Sequence, residues 1–395
     1  MNEGAEARLI ASPGLGRERL ARLQRGTVAV IGAGVLGGQV SYHLGLLGVG
    51  QVLVDHGRVE PHNFSNQGFA LADLGEWKTV ARARRIAALN PDAAVQLLTS
   101  RVEDLGLAAL AGVDLLVTGV DGRAARVRAS TIAWRLQIPW VDAAVDGSGR
   151  MLRGTVTLYD PCDHRSPCYM CRLDANALHA ISREGRGPGC PNPLRPDVVA
   201  TPPTLQASAF ASVIAGYQTL WATRALLGEH HPLVARQLVV SSDGLPETRL
   251  LTMTRAAHCR FDHRPFGRLH RLQGDRLADL LAAANAAFDA PADEFVLHDR
   301  AFVAGLRCLA CGAVRDAVRI VGAYSEDDIR CSCRTHAEMT AIAIRESLPA
   351  AEAPRLVSRT WSQLGMPVGE VITARRGTDE IHFVVNPASG GWTDA

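Results

Sequence analysis

Residues 27–37 read Thr-Val-Ala-Val-Ile-Gly-Ala-Gly-Val-Leu-Gly, an apolar run that leads directly into a turn with three glycines. The run is typical of a buried strand, and the spacing of Gly32, Gly34 and Gly37 is typical of a turn that opens a helix at a phosphate site. Backbone N–H groups and a helix N-terminus meet the phosphate there, so the turn fits NAD, FAD or ATP equally well. The stretch therefore predicts the first half of a βαβ unit.

Apolar runs continue to alternate with helical segments after this turn. Further strands are expected at 51–54, 95–98 and 115–120, with helices between them. Parallel strands need crossover connections, and this alternation supplies them. The expected fold class is therefore α/β, with a doubly wound Rossmann-like sheet.

Composition changes twice further along the chain. Residues 161–203 contain eight prolines and four cysteines, which indicates a crossing loop rather than regular structure. Composition shifts again after 258–265, and single cores seldom grow past about 300 residues. We therefore expect a first domain, 1–265, and a C-terminal α+β region, 266–395, with cysteines of its own.

Charge and hydropathy exclude several classes of protein. The chain has 395 residues, of which 21% are charged, and a formal net charge of +2, so no long-range attraction to nucleic acid or membrane is expected. No run of about 18 apolar residues and no signal-peptide pattern occur, which predicts a cytoplasmic protein. In that reducing compartment the nine cysteines are expected to be metal ligands or reactive thiols rather than disulfides.

One lysine occurs among the 42 basic residues, and it stands at position 78. A lysine is a compact point charge, whereas arginine is a planar fork, so a site shaped around one phosphate oxygen need not accept the exchange. Chance survival in an arginine-rich chain is the alternative. The residues that follow the glycine turn come in a fixed order: Asp55, Asn63 with Gln67, Lys78, Asn90-Pro91 and Asp121-Gly-Arg-Ala-Ala-Arg126.

This order of motifs resembles the ubiquitin-activating-enzyme-like superfamily, in particular adenylyltransferases of the ThiF, MoeB and HesA type, over residues 8–263. The resemblance implies a homodimer that uses ATP and Mg²⁺ to adenylate a carboxylate. It also implies site roles: phosphate contacts for the turn with Asn63, Gln67 and Lys78, the ribose for Asp55, Mg²⁺ for Asp121, the loop after Asp121 for Arg126, and the partner subunit's nucleotide for Arg8. For single residues, a turn or a solvated charge is the alternative.

Two positions depart from the family pattern. Asn66 stands where relatives usually carry an arginine, and Gly57 stands where many carry a second aspartate. The phosphate site is therefore expected to lack one cation, which Arg8, Arg17 or Arg58 would replace.

Cysteine spacing predicts two Zn²⁺ sites. The resemblance places the partners of the pair Cys168 and Cys171 near the end of the first domain, where Cys259 and His263 would complete the site, with His258 as the competing ligand. The pairs Cys308-x-x-Cys311 and Cys331-x-Cys333 predict a zinc ribbon. Of the remaining thiols, Cys190 lies in an arginine-flanked loop where related enzymes carry an acceptor cysteine, and a plain loop cysteine is the alternative. Cys162 has two acidic neighbours, which disfavour its thiolate.

The combined interpretation is ATP-dependent adenylation of the C-terminal glycine of a ubiquitin-like or sulfur-carrier protein, with a thioester step at Cys190 and a conjugating enzyme or sulfurtransferase downstream. A peptide adenylyltransferase without a thioester step is the first alternative. A zinc-dependent scaffold with a degenerate nucleotide site is the second. A nicotinamide dehydrogenase is disfavoured, because Asn63, Gln67, Lys78 and Asp121 would have no role in it.

Overall fold

The computed structural model describes residues 3–12, 14–147, 152–174, 176–177, 181, 208–242 and 245–386. Contacts divide the chain into two compact units. Unit 1 contains Met1–Asp104, Val113–Ser182 and Thr201–Pro265, and the described residues of unit 2 come from Leu105–Gly112 and from the stretch that begins at Phe266.

An eight-stranded sheet in the order β3-β2-β1-β4-β5-β6-β7-β8 forms the centre of unit 1. The first five strands in this order are parallel, and β6, β7 and β8 continue the sheet antiparallel. The predicted α/β fold with a large, mainly parallel sheet is confirmed, whereas the antiparallel extension was not expected. The strands are β1 Thr27–Ile31, β2 Gly50–Val54, β3 Val95–Leu98, β4 Leu115–Thr118, β5 Trp140–Asp146, β6 Arg153–Tyr159, β7 Arg236–Ser241 and β8 Glu247–Thr252.

Helices cover both faces of this sheet, which explains why β1, β2 and β4 are almost continuously apolar and buried. The helix α3 packs against α4 and α6, and α6 also covers β5 and β6. Among the described residues, no helix has the length and apolar character that a membrane span requires. The helices of unit 1 are α1 Glu3–Ala11, α2 Gly16–Arg25, α3 Val35–Leu46, α4 Lys78–Leu89, α5 Arg123–Leu136 and α6 Ser208–Leu226.

Three glycines bring β1, α3 and the end of β4 into backbone contact. A Cβ atom added at Gly37 would lie 1.7 Å from the carbonyl oxygen of Gly32. One added at Gly32, whose φ is +92°, would lie 2.7 Å from the carbonyl oxygen of Gly119, and one at Gly119 would lie 2.7 Å from the nitrogen of Gly37. A side chain at any of the three positions would push these elements apart.

Among its described residues, unit 2 combines one α-helix with sheets that are antiparallel except for the parallel pair β9 and β19. Its five-stranded sheet has the order β17-β10-β18-β19-β9, and two three-stranded sheets, β14-β11-β16 and β13-β12-β15, carry the cysteine-rich region. The elements are β9 Leu269–Arg271, α7 Leu277–Phe288, β10 Glu294–Leu297, β11 Phe302–Val303, β12 Leu306–Cys308, β13 Val314–Arg315, β14 Arg319–Ile320, β15 Met339–Ala341, β16 Ile344–Arg345, β17 Ser347–Pro349, β18 Glu370–Arg376 and β19 Asp379–Val385.

The segment Leu105–Gly112 precedes β4 in the chain but belongs to unit 2. Its backbone donates from Ala108 N–H to the Gly369 carbonyl at 2.8 Å. The fully buried Glu370 accepts from Arg300 Nε at 2.7 Å, and Arg300 Nη2 donates to the Leu105 carbonyl at 3.0 Å. Unit 2 therefore includes Leu105–Gly112, a segment that lies within the expected first domain, 1–265.

The glycine contact leads to a stability prediction. Gly37→Ala should lower the free energy of unfolding by about 2 to 3 kcal/mol, because the new methyl group meets backbone that cannot rotate away. Gly216 on α6 is the matched control, since an added Cβ has no atom within 4 Å. Gly216→Ala should raise stability by about 0.5 to 1 kcal/mol. Denaturant titration measures both changes, and an unchanged Gly37→Ala protein would contradict the close contact.

Candidate nucleotide site and cysteine clusters

Asp55 follows β2 and joins two loops at the carboxyl edge of the sheet. One carboxylate oxygen accepts from Ala33 N–H at 2.6 Å, and the other accepts from Gly57 N–H at 2.6 Å. Gln67 lies beside the same turn, because a Cβ at Gly34 would be 3.9 Å from Gln67 Oε1. The structure thus brings the glycine turn, Asp55 and Gln67 together.

Three amide side chains near this turn each have one buried atom without a protein partner in the described part of the chain. Asn63 is fully buried, and its Oδ1 accepts from Glu60 N–H at 2.9 Å, but its Nδ2 has no acceptor. Asn66 Oδ1 and Gln67 Oε1 are also buried without a donor among the described residues. Each unsatisfied polar group costs about 1 to 3 kcal/mol. The donor and acceptor set therefore fits a polar ligand at this position.

Lys78 begins α4 beside Asp55. Its N–H donates to the Gly57 carbonyl at 2.9 Å. A Cβ at Gly57 would lie 3.0 Å from Asp55 Oδ1 and 3.3 Å from Lys78 Cε. Glycine at position 57 therefore leaves the space through which the lysine side chain passes next to the carboxylate.

The other charged residues of the predicted site, Asp121, Arg58 and Arg8, lie in different surroundings. Asp121 is exposed just beyond β4. It lies two residues after Gly119, which is in backbone contact with Gly32 and Gly37. The Arg58 guanidinium lies over the Trp77 ring, 3.8 Å from its centroid, and donates to the Gly75 carbonyl at 2.8 Å. Arg8 is exposed on α1, which packs against α2.

Arg126 is held by a carboxylate that the sequence interpretation did not include. Its Nε donates to Asp142 Oδ1 at 3.1 Å, and its Nη2 donates to the Ala143 carbonyl at 3.3 Å, so these two partners are on β5. Burial lowers the pKa of Arg126, but attraction to Asp142, Tyr169 and Asp121, together with the hydrogen bond to Asp142, outweighs this effect and leaves the pKa raised. An aspartate inside the apolar strand Trp140–Asp146 was the available signal, because a buried carboxylate needs a buried partner.

The first cysteine cluster contains Cys168, Cys171, Cys259 and His263, whose ligand atoms all lie within 4.8 Å of one another. The Sγ atoms of Cys168 and Cys259 are 3.5 Å apart, and Cys171 Sγ is 3.3 Å from His263 Nε2. Tetrahedral Zn²⁺ with Zn–S bonds of about 2.3 Å requires S–S separations of about 3.8 Å, so the donor set fits zinc.

His263 rather than His258 belongs to this group. His263 has φ +57°, and its ring meets Trp134 edge-on with centroids 5.0 Å apart. His258 is exposed. The structure therefore favours one of the two ligands that spacing left open.

The second cluster contains Cys308, Cys311, Cys331 and Cys333, again with all ligand atoms within 4.8 Å. The Sγ atoms of Cys308 and Cys333 are 3.9 Å apart, and those of Cys311 and Cys331 are 3.7 Å apart. A hydrogen bond with Thr335, and then the Ala337 N–H, lower the pKa of Cys333 to about 6. These separations also match a tetrahedral zinc site.

The two remaining cysteines differ in what the structure describes. Cys190 lies outside the described residues. The side chain of Cys162 is exposed, but partial desolvation, and then the charge of Asp160, raise its pKa. The expectation that acidic surroundings disfavour a Cys162 thiolate is confirmed in direction, with desolvation as the larger cause.

Comparison with known proteins covers the first two thirds of the chain. The ThiF family model matches residues 6–260. A sulfur carrier protein adenylyltransferase from Thermus thermophilus is 30% identical over 259 residues, which are 62% of this chain and 86% of that protein. The SAMP-activating enzyme E1 from Haloferax volcanii is 31% identical over 160 residues, 40% of this chain and 57% of that protein.

A solved structure shows the same fold. The crystal structure of Escherichia coli MccB with selenomethionine-labelled MccA superposes with a TM-score of 0.51 at 18% identity, covering 66% of this chain and 74% of that chain. The family model spans well over half of the sequence, including the glycine turn, Asp55, Lys78 and Asp121. The chain therefore belongs to the ThiF family of adenylyltransferase enzymes.

Proposed function

We propose that the protein uses ATP to adenylate the C-terminal glycine carboxylate of a ubiquitin-like or sulfur-carrier protein. The observation that carries this proposal is the similarity to a sulfur carrier protein adenylyltransferase along 86% of that relative's length. A second relative is named for activation of a SAMP. The cluster of unpartnered amides beside the glycine turn supports a nucleotide at this edge of the sheet.

In the proposed reaction, a carboxylate oxygen of the carrier forms a bond to the α-phosphorus of ATP, and the bond from that phosphorus to the β-phosphate oxygen breaks, so pyrophosphate leaves. The protein supplies no covalent group in this step and lowers the barrier by neutralising charge. Mg²⁺ at Asp121 would offset charge on the phosphates. The other proposed roles are ribose binding by Asp55, phosphate binding by the turn with Asn63, Gln67 and Lys78, and a contribution from Arg8 of a second subunit in a homodimer.

We further propose that both cysteine clusters bind Zn²⁺. The first zinc would link the short 3-10 helix Tyr169–Arg172 to residues 259–263. The second would form the zinc ribbon of the C-terminal α+β region. In this division, residues 1–265 carry out adenylation, and 266–395 recruit a downstream conjugating enzyme or sulfurtransferase.

A thioester step at Cys190 extends the proposal. The thiolate would attack the acyl carbon of the adenylate, AMP would leave, and the carrier would become thioester-linked to the enzyme. Its support is the sequence context alone, since Cys190 lies outside the described residues.

The adenylation proposal predicts ATP–pyrophosphate exchange that depends on Mg²⁺ and on a carrier ending in glycine. Lys78→Arg should slow exchange about tenfold or more, because a fork replaces a point donor in a charged hydrogen bond. Asp121→Ala should abolish exchange. The control is Arg249→Lys, the reverse substitution, in an exposed ion pair on β8. It should keep the wild-type rate of pyrophosphate exchange. Exchange in Lys78→Arg at the wild-type rate would remove Lys78 from the site.

The zinc proposal predicts about two zinc ions per chain, one for each cluster. Cys168→Ser should lose one ion and lower the stability of unit 1, since metal binding contributes to folding. Cys308→Ser should lose the other ion and leave exchange intact. Cys162→Ser, outside both clusters, should retain both ions. Metal analysis of purified protein that finds fewer zinc ions in the wild type would refute one or both sites.

The thioester proposal predicts a carrier adduct that reductant removes. Cys190→Ala should still exchange pyrophosphate but form no adduct, because adenylation needs no thiol. Cys162→Ala should retain the adduct, given the raised pKa of that thiol. Absence of any adduct with a carrier that supports exchange would show that the enzyme stops at the adenylate.

A further inference from the structure

Arg82 lies on α4, one helical turn after Lys78, and only 6% of its surface is exposed. Its Nε donates to the Ala33 carbonyl at 3.2 Å. Its Nη2 donates to the carbonyls of Gly34 at 3.2 Å and of Gln67 at 2.5 Å. One guanidinium thus holds the glycine turn and the loop that carries the unpartnered amides.

The surrounding residues leave space for this guanidinium and for little else. A Cβ at Gly38 would lie 2.3 Å from Arg82 Nη2, so any side chain at position 38 would displace it. On another side, the Phe69 ring stacks against it, with the ring centroid 4.0 Å from Arg82 Cζ. The fork is therefore fixed in one orientation.

The charge of Arg82 has no carboxylate in contact among the residues that the structure describes. Desolvation, and then repulsion from Arg85, lower its pKa to about 10, so it remains charged at neutral pH. Asp55 and Asp73 favour the charge only through longer-range attraction. A buried cation with carbonyls and a ring as partners is costly, and an anion bound nearby would offset that cost.

Peptide geometry shows where the anion would bind. In a planar trans peptide the C=O and N–H bonds point in opposite directions. Arg82 binds the carbonyls of Ala33 and Gly34, so the N–H groups of Gly34 and Val35 point away from it, at the N-terminus of α3. Backbone N–H groups at a helix N-terminus are a common phosphate site.

We propose that Arg82 is a positioning residue for the ATP phosphates, which orients the N–H groups of Gly34 and Val35 and adds a desolvated positive charge beneath the turn. This inference rests on the proposed use of ATP at this site. Neither Asn63, Asn66 nor Gln67 carries a charge, so the neutral amides would depend on Lys78 and Arg82, one turn apart on α4, for the positive potential. The effect of Arg82 should increase with the number of phosphates on the nucleotide.

The test compares binding of Mg²⁺–ATP and of adenosine to the full chain by calorimetry. Arg82→Met keeps most of the side-chain volume and should weaken ATP binding about tenfold or more, while adenosine binding changes by less than about twofold. Arg82→Lys keeps the charge but not the planar guanidinium. Its affinity for ATP should lie between those of Arg82→Met and the wild type. The loss should persist in high salt, because buried charges are poorly screened.

Arg85→Met is the matched control. Arg85 lies on the same helix, but its guanidinium is exposed and donates to the Gly68 carbonyl at 2.9 Å. Arg85→Met should change the affinity for ATP by less than about twofold. If Arg82→Met fails to fold, the same binding measurements are made on Arg82→Lys and Gly38→Ala, since both substitutions disturb the position of the guanidinium.

Three outcomes would overturn the inference. Wild-type ATP affinity in Arg82→Lys and Arg82→Met would show that Arg82 has no role at the phosphates. Equal loss of ATP and adenosine binding would show a purely structural role. Wild-type protein that binds no ATP would refute the proposed function and this inference together, whereas the first two outcomes refute the inference alone.

Discussion

Backbone contact among Gly32, Gly37 and Gly119 is the constraint on which the site depends. It joins the end of β1, the first turn of α3 and the residues after β4, with distances that admit no side chain. Since Asp121 follows Gly119 by two residues, the same contact directs the chain toward the edge where Asp55 binds Ala33. The proposed nucleotide site would thus depend on close strand packing, with its candidate residues carried by loops that this packing positions.

Buried charge is used in two different ways in this protein. Arg126 with Asp142, and Arg300 with Glu370, are ion pairs whose charges offset each other. Each pair also binds main-chain carbonyls, so it connects strands or segments as well as neutralising charge. Arg82 is bound to carbonyls, and no carboxylate of the described part of the chain contacts it. Structural pairs need no ligand, whereas a buried cation at the glycine turn gains stability from an anionic one.

The first cysteine cluster and the segment Leu105–Gly112 each connect parts of the chain that are distant in sequence. The first cluster joins residues that are separated by about ninety positions in the chain, within unit 1. Within unit 2, Glu370 and Arg300 bind a segment that lies between β3 and β4 in sequence.

Local pattern was sufficient for the βαβ unit, the glycine turn, strands β1 to β4 and the close cysteine pairs within each cluster, because strand burial and cysteine spacing are short-range properties. Tertiary structure alone decided the partners. Spacing favoured His263 but left His258 open, since the choice depends on a positive φ and on Trp134 far away in the chain. Asp142 as the partner of Arg126, the position of Arg82 beneath the turn, and the inclusion of Leu105–Gly112 in unit 2 all result from contacts between residues distant in sequence. Such contacts are set by sheet order and packing, which no local pattern encodes.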